Sequence, residues 1–182
     1  MARKDYVDAV PFPDEVRLRP IGVVRSPYRQ RFGTPRQAVV TEGTLGEAEQ
    51  DATIELNSEV VPAAALGGLD GFERMWIVSL FHLNQGWNPT VVPPRGPRVR
   101  RGVLATRAPH RPNHIGLSCV RVIRVEGHVV HVRGIDLLDG TPVLDLKPYV
   151  PYADAFPDAA AGWLDGLTGR MDEPDRPTRP PG

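Results

Sequence analysis

The sequence predicts an all-β fold, a closed or nearly closed β-barrel with one or two short helices. Three observations carry this. The dominant hydrophobic period between residues 19 and 165 is two, as half-buried strands require, and not the 3.6 of an amphipathic helix. Seven short strand-like runs follow one another at close spacing, as in barrels and sandwiches. The chain also holds 20 prolines and 18 glycines in 182 residues, which breaks it too often for long helices.

Taken in order, residues 1–18 mix charges with Pro11 and Pro13 and read as an extended N-terminal arm. Strands are expected at 21–25, 52–56, 74–83, 102–106, 117–125, 129–137 and 142–145. In Val120-Arg121-Val122-Ile123-Arg124-Val125, and again in Val130-His131-Val132-Arg133, apolar and basic residues nearly alternate. One face then joins the core and the other presents Arg and His. Glu126-Gly127 marks a hairpin turn between the two runs. Residues 62–66, with Pro62 at the start and Gly67-Gly68 as the stop, predict a short helix; residues 158–164 predict another, with Asp158 as N-cap. Residues 19–165 form the barrel domain in this reading, and 166–182 a Pro-rich tail.

Composition narrows the class. Lys plus Arg balances Asp plus Glu at 22 each, with 41% hydrophobic and 24% charged residues, which are globular proportions. The longest apolar run, 75–83, is about half the roughly 20 residues of a membrane-spanning helix. No export signal opens the chain, and the single Cys119 excludes an internal disulfide or a multi-cysteine metal site, so the expected compartment is the cytoplasm.

The neutral total hides an asymmetry. From Arg74 to Val125 no acidic residue occurs, while arginine stands at 74, 95, 98, 100, 101, 107, 111, 121 and 124. Lysine is confined to Lys4 and Lys147. Arg in place of Lys can be a compositional habit, but the missing Asp and Glu point to a surface that faces a polyanion.

Four polar clusters fall at strand ends. The first runs from Ser26-Pro27-Tyr28 to Thr34-Pro35-Arg36-Gln37, the second from Phe81-His82-Leu83 to Trp87. The third, Arg107 to Gly116, holds His110 and His114, but Pro112 between them blocks the helix that would aim both at a metal. A basic loop with two imidazoles and an amide suits phosphate or base contacts better. The fourth, 136–149, sets Asp136, Asp139 and Asp145 among leucines, where carboxylates are costly to bury unless bonded. No serine or cysteine nucleophile with a paired base can be assembled.

An ordered series of short motifs resembles one family. It comprises Ile21-Gly22-Val23-Val24-Arg25-Ser26-Pro27-Tyr28, Pro35-Arg36-Gln37, Trp87-Asn88-Pro89-Thr90-Val91, Gly102-Val103-Leu104-Ala105-Thr106-Arg107, Arg111-Pro112-Asn113, and Asp136-Leu137-Leu138-Asp139-Gly140-Thr141-Pro142 followed by Asp145-Leu146-Lys147-Pro148-Tyr149. This resembles the TsaA/TrmO-type β-barrel tRNA methyltransferases that use S-adenosyl-L-methionine.

The resemblance implies methylation of the exocyclic nitrogen of threonylcarbamoyladenosine next to the anticodon of tRNA. Alternatives are a protein that binds S-adenosylmethionine without turnover, or a methyltransferase with a small-molecule acceptor. It implies cofactor contacts at Pro35, Arg36, Gln37, His82, Leu83, Arg107, Leu117, Leu144, Asp145, Leu146 and Lys147, and a homodimer with no membrane association. It puts tRNA contacts at Arg95, Arg98, Arg100, Arg101, Arg111, Asn113 and His114. An acylated adenine nitrogen must lose its proton at or before attack, so a base is expected, with His82, Asp139 and Asp145 as candidates. The threonyl carboxylate of the substrate is expected either to accept that proton itself or to pair with Arg107 or Arg111.

Overall fold

The computed structural model describes residues 13–30, 33–35, 37–38, 49–94 and 96–167. Its strands are β1 (Gly22–Arg25), β2 (Asp51–Leu56), β3 (Arg74–Leu80), β4 (Thr90–Val91), β5 (Arg101–Gly102), β6 (Ile115–Glu126), β7 (Val129–Arg133) and β8 (Pro142–Pro148). Six of them close an antiparallel barrel in the order β1-β2-β7-β6-β3-β8, with β8 returning to β1. β4 and β5 form a separate two-residue ladder.

Alternation builds the core. On β3, Met75, Ile77 and Ser79 are buried while Trp76, Val78 and Leu80 face outward. Ile54, Val24, Val120, Val130, Val132 and Val143 fill the same interior. Each such side chain contributes about 1.5–3 kcal/mol of burial.

Two bulges adjust the pattern. The register of β6 against β7 slips between Val122 and Arg124, so Ile123 is an extra residue on the outer wall. Val125 thereby returns toward the core although Ile123 breaks the strict alternation. The register of β3 against β8 jumps from Val78↔Asp145 to Ser79↔Val143, which leaves Leu144 unpaired.

Strand pairing trims several expected elements. The 74–83 run ends as a strand at Leu80, where its partner β6 begins at Ile115. The 129–137 run ends at Arg133, opposite the first residue of β2, and Gly134 turns the chain at φ 79°. Residues 102–106 are not a strand. β5 stops at Gly102, and Val103–Ala105 coils into a 3-10 turn closed by Thr106, whose backbone N–H and Oγ1 both donate to the Val103 carbonyl. The hairpin is present, with Gly127-His128 as its two-residue turn and positive φ only at Gly127, as a II′ turn requires.

The helices are also shorter than expected. Ala63–Leu66 is a 3-10 turn that ends at Gly67. Asp158 caps nothing; the C-terminal turn is the 3-10 stretch Gly162–Leu167, where Asp165 accepts the N–H of Ala161. That turn carries the ordered chain past residue 165, with Leu167 buried beside Gly96. The α-helix Pro151–Asp154 (α1) has Pro at its start and lets Asp154 accept from Val150 N–H and Trp76 Nε1. Four residues are too few to show a period in sequence. No helix among the described residues is long and apolar enough to cross a membrane.

Candidate functional site

Antiparallel pairing puts the ends of β1, β3 and β7 and the starts of β2, β6 and β8 at one rim of the barrel. All four polar clusters of the sequence therefore meet at one mouth. The first and fourth are laced together: Ser26 Oγ donates to the Leu137 carbonyl at 2.8 Å, Ser26 N–H to Asp139 Oδ1 at 3.2 Å, and Asp139 N–H to the Tyr28 carbonyl at 2.7 Å. The second and third are laced likewise. Phe81 N–H donates to the His114 carbonyl at 2.9 Å and Asn84 Nδ2 to the Pro109 carbonyl at 2.9 Å. His114 Nε2 lies 3.0 Å from the Gly86 carbonyl, so that nitrogen carries the proton. His114 sits at φ 45°, an uncommon conformation for a residue with a side chain, held by these contacts.

Asp136 joins the two halves. Its carboxylate accepts from Ser118 Oγ on β6 and from the backbone N–H of Ala38, and feels the charge of Arg107. Burial is the larger influence and pushes this carboxyl above its ordinary range, against those three and its own backbone N–H. Tyr28 lies in the same electrostatic field: burial first, then Asp136, raise its phenol, and its buried hydroxyl has no hydrogen-bond partner. Asp136, Tyr28 and Ser118 were not among the residues expected to form the site. The cue was present for Asp136, as a carboxylate in an apolar run that burial would force to find partners.

Beside the mouth, the outer face of the sheet carries the row Leu117–Val78–Asp145 across β6, β3 and β8. The bulge is what makes it: without the extra Leu144, that leucine and not Asp145 would face Val78. Asp145 pairs with Lys147 at 2.8 Å and accepts the Leu146 N–H, and the pairing raises the Lys147 amine. Lys147 lies in the next row, beside Trp76, while Leu146 packs inward. Leu117 is 58% exposed and Leu83, in the turn after β3, is 67% exposed.

Of the expected cofactor set, Leu117, Leu144, Asp145 and Lys147 thus share a wall beside the mouth, and His82, Leu83 and Arg107 stand on its loops. Pro35 is buried and Gln37 exposed; Arg36 lies outside the described residues. The residues fit an adenosyl sulfonium ligand: carboxylates at Asp145 and Asp136 for its positive centres, and exposed leucines for a flat ring.

The expected tRNA contacts are more divided. Arg111 Nη1 donates to the carbonyls of Thr106, Val103 and Ala108, at 2.7, 3.3 and 3.4 Å, and so braces its own loop. Arg101 lies over the Trp163 ring, 5.4 Å from its centroid, and Arg100 donates to Thr90 Oγ1 at 3.1 Å. Arg98 and Asn113 are exposed; Arg95 lies outside the described residues. A hollow of about 270 Å³ on the wall of β1, β2, β7 and β6 is lined by Arg25, Thr53, Arg124 and His131; it adjoins the rim where β1 ends, and Arg25 there feels the charge of Asp139.

Comparison with known proteins finds relatives over the barrel as a whole. A family model for the N-terminal domain of tRNA-methyltransferase O matches residues 23–155. The Escherichia coli K12 tRNA (adenine(37)-N6)-methyltransferase is 43% identical over 150 residues, covering 79% of this chain and 61% of that protein. A probable S-adenosyl-L-methionine-binding protein of Methanothermobacter thermautotrophicus is 40% identical, covering 78% of this chain and 96% of that one. The crystal structure of TrmO from Pseudomonas aeruginosa superposes with a TM-score of 0.64 at 41% identity, covering 81% of this chain and 62% of that one. The chain thus spans under two thirds of the length of the bacterial enzymes it matches.

Proposed function

Since the chain belongs to the family of the N-terminal domain of tRNA-methyltransferase O, we propose that it methylates the exocyclic nitrogen of threonylcarbamoyladenosine beside the anticodon of tRNA. The observation that carries this is the convergence of four separate polar clusters on one barrel mouth around Asp136.

S-adenosyl-L-methionine supplies an electrophilic methyl group on a sulfonium. Leu117, Leu83 and the Asp145 row give it an apolar seat with a carboxylate edge, and Asp136 offers a further polar partner. The protein's chief task is to hold nitrogen, methyl and sulfur in line. Among the candidate bases, Asp139 is committed to Ser26 N–H and Asp145 to Lys147, whereas the exposed ring of His82 has no partner among the described residues. We assign the proton to His82. Arg107, whose loop is braced by Arg111, is the guanidinium for the threonyl carboxylate; an unmodified adenosine would leave it unpaired.

The exposed apolar residues Ile115, Leu117 and Leu83 support a homodimer through this wall, and a tRNA substrate supports a cytoplasmic setting. The test is mass spectrometry of tRNA nucleosides after incubation with the protein and S-adenosylmethionine. Methylated product is expected only from tRNA that carries the threonylcarbamoyl group. Equal methylation of tRNA lacking it, transfer to a small molecule alone, or none at all overturns the reading.

A further inference from the structure

The outer wall holds a charge arrangement that methyl transfer does not use. One cross-strand row reads Arg74 on β3, Arg121 on β6, Arg133 on β7 and Asp51 on β2. Directly opposed residues stand roughly 5 Å apart at Cβ, and like charges there destabilise a sheet.

Neighbouring arginines on the wall meet that cost with a carboxylate. Arg133 pairs with Asp51 at 2.6 Å, Arg124 with Glu126 at 2.7 Å and Arg25 with Glu55 at 2.8 Å. Arg121 has none. Among the described residues its Nε is buried without a hydrogen-bond partner, and Arg74, directly opposite, lies close enough to Cys119 for its charge to act on the thiol. Among the described residues, two guanidinium groups thus face each other in register with no anion between them. Arg121 points outward on the same face as Leu117, four residues along β6 and so about 13 Å away. That is within the span of an RNA stem seated at the mouth. A guanidinium fork matches the oxygens of a phosphate.

We propose that Arg74 and Arg121 clamp one phosphate of the tRNA backbone on the barrel wall, outside the mouth where methyl transfer occurs. This rests on the tRNA-methyltransferase reading. The clamp contributes affinity and orientation and touches neither the methyl donor nor the accepting nitrogen.

The test uses the full chain, with Arg121→Gln, Arg74→Gln and Arg121→Lys, in tRNA-binding titrations over a range of salt concentrations. Losing one phosphate contact lowers the slope of log K against log salt by about 0.9, which amounts to roughly an eightfold weaker complex at 0.1 M salt relative to 1 M. Each Gln variant is expected to show that loss, with a raised KM for tRNA, an unchanged kcat at saturating tRNA and unchanged S-adenosylmethionine affinity. Arg121→Lys should recover most of the slope. The melting temperature should hold or rise, because a like-charge contact is removed; Arg74→Gln, farther from the buried Nε, serves if Arg121→Gln does not fold. Variants that keep the wild-type slope overturn the clamp while wild-type methylation of tRNA preserves the parent reading. A change of molecular mass in light scattering with an unchanged slope also overturns it, by assigning the pair to a second copy of the chain. Wild-type protein that binds no tRNA overturns both.

Discussion

Ser118 Oγ donates to the Asp136 carboxylate, and this bond ties the strand that bears Leu117 to the segment that leaves β7. The carboxyl is buried and held above its ordinary range chiefly by desolvation. A group raised in this way favours folding when protonated and loses that contribution as pH climbs through its folded-state value. Asp136→Asn keeps an acceptor for Ser118 and Ala38 but removes the charge. The variant is therefore expected to melt a few degrees above wild type at neutral pH, with the gap closing as pH falls below the ordinary carboxyl range, about 3.9. Methylation should drop at least tenfold (~1.4 kcal/mol), since the mouth loses its only link to Arg107 among the described contacts of Asp136. Calorimetric melts across pH, paired with activity, check both halves.

Gly116 shows how tightly the mouth end of β6 is packed. A Cβ built there would lie 2.5 Å from Ser79 Oγ and 2.6 Å from Phe81 Cζ. Gly116→Ala is expected to cost about 1–3 kcal/mol by overpacking. Urea unfolding should show a lower midpoint at constant slope; an unchanged midpoint would mean that Phe81 moves aside freely.

Arg111 Nη1 reaches three carbonyls from one bond farther along its side chain than a lysine nitrogen stands, so a lysine ammonium at this position falls short of them. Arg111→Lys and Arg111→Ala should both loosen residues 106–114, seen as faster amide exchange there, and both should lower activity on modified tRNA. Full rescue by Lys would assign Arg111 a simple charge contact instead.

His82 stands free at the rim, and a base in that position typically contributes 10²–10⁴-fold. His82→Gln is expected to lower kcat by that order while the dissociation constant for S-adenosylmethionine changes less than about threefold. Equal losses in kcat and in donor affinity would make His82 a binding residue.

Much of this was legible in the sequence because period-two patterning reports burial directly: Met75, Ile77, Val120 and Val122 read as core and are core. What the pattern could not report was where a partner strand stops. Residues 102–106 read as a short apolar run fit for a strand, yet the ladder with β4 ends at Gly102, with one more bond from Val103 N–H to the Pro89 carbonyl, and Leu104 is 74% exposed. The mouth was half legible. His82, Arg107 and Asp145 sit at strand ends in sequence and at the rim in space. Asp136 and Tyr28 were named within clusters but given no role, because their importance comes from which loops they join across the barrel. The bracing role of Arg111 was not legible: a lone arginine in a basic loop carries no sign in sequence that one of its nitrogens is turned back on its own loop's carbonyls.

The central claim is that one ligand site forms where these loops converge. A crystal structure with S-adenosylmethionine bound tests it most directly. The ligand is expected against Leu117 and Val78, with polar contacts to Asp136 or Asp145. Density for it in the hollow lined by Arg25, Thr53 and His131 instead of against Leu117 and Val78, or anywhere away from the mouth, would contradict the account.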